Sequence, residues 1–298
     1  MTRRSFRLPA RALLSLALLL SSPAARAESS AAATNGFFIF AGRVAGQAGS
    51  LFRTDVWLFN PETTANATVT LVFREQVASG GGASGPVSSS PIVLGPRETK
   101  FLPDVTLTTV PAGDGRVGSL EWTSDRAILA SARVYTQAAT GTFGFFLPGI
   151  PVAESMGAKT SPGDAVNVLQ MYGLSSGDPA NFRTNLDVTN TAGVAIPIEV
   201  RVIDPVTGLI YGGTRSYSVA PKSLLRVGAI VTTVGAPAVE GLRITVAIRE
   251  GTALPGGGGI LAVATTLDNR TNDAFAFVGQ RQSATIVPAT LLPLADLP

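Results

Sequence analysis

The 298-residue sequence predicts an all-β fold of two tandem β-sandwich modules that arise from an internal repeat and follow an N-terminal signal peptide. Three observations carry this expectation. Segment after segment alternates apolar and polar residues at period two, with β-branched enrichment. One motif recurs about 130 residues later in the same order of neighbours. No stretch after the first 27 residues keeps a helical period between capping residues.

The N-terminus is taken first. Arg3, Arg4, Arg7 and Arg11 precede a nine-residue apolar run, Ala12 to Leu20, and Ala25-Arg26-Ala27 follows as a small-x-small cleavage site. This is the three-part pattern of a secretory signal. The run is too short to span a bilayer, which takes about 20 residues. Thr2-Arg3-Arg4-Ser5-Phe6 also resembles the twin-arginine export signature, so both that route and the general secretory one stay open. No cysteine follows for lipid attachment, and no later apolar run reaches membrane-spanning length. The protein is expected to be exported, to the periplasm or beyond the cell.

The repeat comes next. Phe52-Arg53-Thr54-Asp55 to Asn60 aligns with Phe182-Arg183-Thr184-Asn185 to Asn190. Leu94-Gly95-Pro96-Arg97 aligns with Val219-Ala220-Pro221-Lys222, and Ile128 to Ala132 with Ile260 to Ala264. Phe143-Gly144-Phe145 aligns with Phe275-Ala276-Phe277. The expected organisation is a signal peptide (1–27), a short linker (28–36), module 1 (37–152), a linker (153–165) with Pro162-Gly163, module 2 (166–283) and a Pro-rich tail (284–298). Strands are expected at Phe37–Ala41, Arg53–Asn60, Thr68–Phe73, Val87–Leu94, Thr99–Leu102, Gly118–Thr123, Ala127–Tyr135 and Thr142–Leu147. Module 2 offers equivalents from Val166–Tyr172 through Pro197–Ile203 to Phe275–Val278. Turn residues such as Asn60-Pro61, Asp114-Gly115 and Asp204-Pro205 separate them. Seven or eight short strands in about 115 residues fit an immunoglobulin-like sandwich.

The Phe-Arg-Thr-Asx-aliphatic strand ending in Asn, the alternating strand after it, and the Gly/Ala-Pro turn together resemble the immunoglobulin-like modules repeated in secreted bacterial proteins. That resemblance covers most of residues 37–283. It implies architecture rather than activity, since such modules serve as spacers, adhesion elements and binding domains. Two sandwiches in one exported chain are also similar in outline to periplasmic pilus chaperones, whose basic residues find no counterpart here.

Composition excludes much chemistry. There is no cysteine and no histidine, so disulfides, thiolate nucleophiles, Cys/His zinc sites and Ser-His-Asp triads are all ruled out. The formal charge is +3, but residues 1–27 hold five arginines and no acid; without them 18 basic residues face 20 acidic ones, a net of −2. Neither nucleic acid nor an anionic membrane is therefore an expected partner. Gly173-Leu174-Ser175-Ser176-Gly177 matches G-x-S-x-G but leads into Asp178-Pro179 rather than a helix, and no histidine can activate the serine. The spacing S-x-x-K is absent. Gly80–Gly82 and Gly256–Gly259 read as hairpin tips, not phosphate loops. Asp268, Asn269, Asn272 and Asp273 form an oxygen-rich cluster of the kind that suits Ca²⁺, but the weightier reading is a hairpin turn, since Thr136 to Gly141 at the same place in module 1 hold no carboxylate. Scattered carboxylates form no recognisable acid/base pair. No cofactor is expected.

Two further features bear on function. Arg53, Arg183, Asn60 and Asn190 recur in both modules, which suggests side chains pinning strand ends. Ten phenylalanines fall in module 1 and three in module 2. Phe37, Phe38 and Phe40 put apolar groups on both faces of one strand, and Phe143, Phe145 and Phe146 nearly do the same. Either a neighbouring module covers them or they form an exposed patch for a partner. The expected function is a secreted, non-catalytic binding or structural protein of the cell envelope, with a protein or glycan partner. A carbohydrate-binding accessory role is the alternative, for which Trp57, Trp122 and Tyr135 are the aromatic candidates, Trp57 being expected in the core. A periplasmic chaperone-like role or a carboxylate-based hydrolase ranks below both.

Overall fold

The computed structural model describes residues 31–46, 49–81, 85–138, 141–158, 167–175 and 181–281. The signal peptide, residues 159–165 of the expected linker, Ser176-Gly177 and the tail lie outside these. The fold is all-β. Module 1 runs β1 (Ala33–Ala45), β2 (Leu51–Phe59), β3 (Ala67–Glu75), the short β4 (Val87–Ser88) and β5 (Ile92–Leu94), β6 (Thr99–Leu102), a one-turn helix α1 (Val105–Thr108), β7 (Arg116–Ala138), β8 (Gly141–Pro148) and β9 (Ile150–Pro151). Module 2 runs β10 (Val168–Leu174), β11 (Phe182–Asn190), β12 (Ile196–Ile203), β13 (Ile210–Val219), β14 (Leu224–Val227), helix α2 (Ile230–Thr233), β15 (Leu242–Ile248), β16 (Ile260–Asp268), β17 (Ala274–Val278) and β18 (Gln280–Arg281).

The two modules share one pairing plan. In module 2, one sheet has the order β13-β12-β15-β10-β18 and the other β14-β11-β16-β17. In module 1, β3, the first half of β7, β1 and β9 repeat the former, while β6, β2, the second half of β7 and β8 repeat the latter. Inward residues of the two sheets meet in each core, such as Leu186, Val200, Ile244 and Ala262 in module 2. Three expectations change. The segments Gly118–Thr123 and Ala127–Tyr135 belong to one 23-residue strand, β7, which leaves one sheet and enters the other. Ser124-Asp125-Arg126 between them contains no Gly or Pro to break it. Module 2 instead has Pro255 and five glycines between β15 and β16, and there the strand splits. Pairing also departs from the immunoglobulin pattern, in which strands A, B, E and D form one sheet and C, F and G the other. Here β16 crosses to pair with β11. The sheet start differs too, because β1 takes in residues 33–36 of the expected N-terminal linker.

The recurring polar residues explain why the repeat survives in sequence. Asn60 is fully buried; its Nδ2 donates to the carbonyls of Ala65 (2.9 Å), Leu94 (3.3 Å) and Gly95 (3.0 Å), and its Oδ1 accepts from Glu62 N (3.1 Å). Asn190 repeats this with Val194 (2.7 Å), Val219 (3.0 Å), Ala220 (3.0 Å) and Ala192 N (2.8 Å). Each amide ties the end of its strand to the Gly/Ala-Pro turn. Arg97 and Lys222, next in that turn, both sit at positive φ, 58° and 47°. Five residues earlier in the motif, Asp55 Oδ1 accepts from Asp104 N (2.8 Å) and Asn185 Oδ1 from Ala229 N (3.0 Å). Asp104 and Ala229 are the left-handed residues that open α1 and α2. These helices are too short for sequence periodicity to reveal.

The modules pack on one another. Residues 152–156 leave β9 as a short 3-10 turn and deliver Met156 into the core of module 2, where it exchanges backbone hydrogen bonds with Ile260 (2.9 and 3.0 Å). Strand β16 is buried on both faces: Ala262 and Ala264 face its own core, whereas Leu261, Val263 and Leu267 join the apolar cluster of module 1.

Candidate functional site

Strand β1 carries the contact between modules. Phe37, Phe38 and Phe40 are 0%, 0% and 4% exposed. An accessible patch on β1 is thereby excluded, and the alternative of cover by the neighbouring module holds. A β-bulge sets the arrangement: Phe38 opposes Leu120 and Ala41 opposes Gly118, so two residues of β1 face Ser119 alone. The bulge reverses the alternation, and Phe37 and Phe40 both turn to module 2. Lys222 Nζ lies 5.1 Å from the centre of the Phe37 ring, and the Arg226 guanidinium lies 4.9 Å from that of Phe40. Phe38 turns inward onto Trp122 (5.3 Å between rings). The carbonyl of Ile39, within the bulge, accepts from Thr189 Oγ1 of module 2 (2.9 Å). Beside Phe37, the buried Glu121 is shared between Arg74 (2.6 Å) of module 1 and Lys222 (3.0 Å) of module 2.

Next to this contact a cavity of about 530 Å³ opens between the modules. Its module 1 wall is largely apolar, with Phe40, Val44, Phe52, Val117, Val134 and Phe145. Its module 2 wall is polar, with Arg183, Asn185, Asp187, Arg226 and Thr265. Asp187 is 1% exposed; its Oδ1 has no hydrogen-bond partner among the described residues, and Arg226 Nε stands 3.6 Å away. Burial pushes the Asp187 carboxyl well above its ordinary range, with Arg226 opposing. Burial and the neighbouring Arg226 charge both press the Arg183 guanidinium downward. This site was missed in the sequence because module 1 has Trp57 and Phe101 where module 2 has Asp187 and Arg226.

No family model matches this chain. No curated protein matches it either. Among solved structures it is matched to a protein of Parabacteroides distasonis taken to be secreted, at 11% identity over 81% of this chain and 83% of that one, with a TM-score of 0.19. At that score the two chains need not share a fold, and nothing about this one rests on the likeness.

A second candidate lies on the outer face of module 1, over β6, β2, β7 and β8. Trp57 stacks on Phe101 across the strands (4.9 Å between rings, 29° between planes). Trp57 is thus half-buried on the outside, not in the core; Trp122 is the core tryptophan. Phe101 is 48% and Phe146 62% exposed. Phe59 flanks Trp57 on the same face, and Arg133, directly opposite Phe146, covers the Tyr135 ring at 4.9 Å. Of the expected β8 aromatics only Phe146 looks out. Phe143 and Phe145 oppose Thr136 and Val134 on the inner side and are partly covered. Strand pairing also moves the repeat register here: Phe145 and Leu147 occupy the places of Phe275 and Phe277.

The remaining sequence candidates resolve into turns. Asp268 Oδ1 accepts from Arg270 N (2.8 Å) and Thr271 N (3.4 Å), and Asp273 Oδ1 from Ala274 N (2.9 Å). Asn272 is at φ 60° with its Oδ1 3.3 Å from Ser50 Oγ, and Asn269 Oδ1 accepts from Arg183. These oxygens hold the β16–β17 hairpin and do not converge on a cation position, so the Ca²⁺ expectation is corrected to a structural turn. Ser175 donates to Glu240 Oε1 (2.7 Å) and is 8% exposed. No described helix is long and apolar enough to cross a membrane.

Proposed function

We propose that the protein is an exported, non-catalytic binding protein of the cell envelope that docks an apolar β-sheet face of a partner protein onto the outer aromatic face of module 1. One observation carries this reading. The equivalent face of module 2 is covered by a sheet of module 1, whereas in module 1 the same face displays Trp57, Phe59, Phe101 and Phe146. Exposed clustered aromatics of this kind are costly to leave in water unless something covers them. The absence of histidine and cysteine supports a non-catalytic role, and the signal pattern supports export.

The test uses the mature protein and the triple variant Trp57→Ala, Phe101→Ser, Phe146→Ser as paired baits on envelope extract. A partner held by the wild type and released by the triple variant is expected. Identical retention by both would overturn the assignment of this face. The stacked Trp57–Phe101 pair also favours a second reading, a platform for sugar rings. Retardation in polysaccharide gels that disappears in the triple variant would establish it, and unchanged mobility would remove it. Hydrolytic activity abolished by one Asp or Glu substitution would refute the non-catalytic role.

A further inference from the structure

The cavity between the modules is a site of a different kind from the aromatic face. Its two walls are chemically opposed. One is built of phenylalanine and valine side chains from module 1, and the other carries two guanidinium groups and a carboxyl from module 2. We infer that this cavity binds a small amphiphile with a carboxylate head and an apolar chain, the head held between Arg183 and Arg226 and the chain laid along the module 1 wall.

Four observations lead there. First, the cations on the module 2 wall outnumber their counter-charges. Arg183 and Arg226 share this wall, and Asp187, 3.6 Å from Arg226, is the one carboxyl among the described residues that lines it from module 2. Glu75, at the edge of the cavity, is paired instead with Arg116. A carboxylate entering the cavity supplies the missing charge and suits the planar fork of arginine. Second, Asp187 Oδ1 is buried with no hydrogen-bond partner among the described residues, Arg226 Nε standing 3.6 Å away. Native proteins rarely leave such an atom unsatisfied. In its neutral form, which burial favours, the Asp187 carboxyl can donate to a bound carboxylate. Third, the module fold does not require this pair, because module 1 fills the equivalent positions with Trp57 and Phe101. A stacked aromatic pair would seal the interface at lower desolvation cost than a buried charge. Fourth, a volume of about 530 Å³ falls inside the range of small-molecule sites.

Dodecanoate is the probe, with acetate and dodecanol as controls for the head alone and the chain alone. Calorimetry on the mature protein should show saturable one-to-one binding of dodecanoate, with both controls weaker by about tenfold or more. Arg183→Gln and Arg226→Gln should each weaken dodecanoate by a similar factor. Ala45 lies exposed at the rim, so Ala45→Trp blocks entry without disturbing a buried position, and it should abolish binding with an unchanged circular dichroism spectrum. The triple variant of the aromatic face should bind dodecanoate normally. Absence of saturable binding, equal binding of dodecanol or acetate, full binding by Ala45→Trp and Arg183→Gln, or loss in the triple variant would each overturn the inference.

Discussion

Single polar side chains do most of the organising in this chain. Asn60 and Asn190 each satisfy four backbone groups that would otherwise be buried unpaired. Asn190→Ala is expected to cost about 2–4 kcal/mol in urea unfolding, because the orphaned carbonyls lose donors that water cannot replace. Asn190→Asp should cost as much, since a carboxylate cannot donate. Asp187 behaves in the opposite sense. Its folded pKa is raised, so the stability tied to it is complete below the ordinary carboxylate range and falls as pH rises through the raised value. Asp187→Asn should therefore stabilise the protein at pH 7 by about 1 kcal/mol or more, with the gain vanishing towards pH 3. Thermal melts of both proteins across that range measure it. The recurring asparagines were legible in the sequence because folding demands them twice. Asp187 was not, because its significance depends on a wall contributed by the other module, from Phe40 to Phe145.

At the level of strands and turns, period-two alternation located nearly every strand, yet it misjudged continuity and register where chemistry is ambiguous. Polar Ser124-Asp125-Arg126 reads as a turn but is the crossing point of β7 between sheets. The β8 and β17 motifs matched by phenylalanine spacing are offset by two residues in space, which preserves the face and so leaves no trace in the pattern. Burial of β1 on both sides was visible as an apolar run, but the run alone could not say what covers it. The crossing from β9 to module 2 makes a sharper demand. A Cβ on Gly259 would lie 2.1 Å from the carbonyl oxygen of Met156. Gly259→Ala should force that backbone apart and cost about 1–3 kcal/mol, with faster amide exchange at Met156 and Ile260 as the local readout.

The whole molecule is held as one body by the contact of β1 with β11, β14 and β16. Leu224, Leu261, Val263 and Leu267 of module 2 belong to the apolar cluster of module 1. Residues 155–281 expressed alone should therefore bind hydrophobic dyes and self-associate in size-exclusion chromatography, while the two-module chain melts in one transition. A monomeric, dye-silent fragment would contradict this. The junction has a consequence in symmetry. It joins unlike faces, so it is a head-to-tail contact with no two-fold axis, and repeated indefinitely it would generate an open filament. The corresponding face of module 2 differs at two of the contact side chains. Where module 1 pairs Phe37 with Glu121, module 2 pairs Gln170 with Thr245, so the ring that Lys222 covers and the carboxylate that it shares with Arg74 have no counterpart there. The pair of modules is in this sense one step of such a progression, with two outer faces of unlike chemistry.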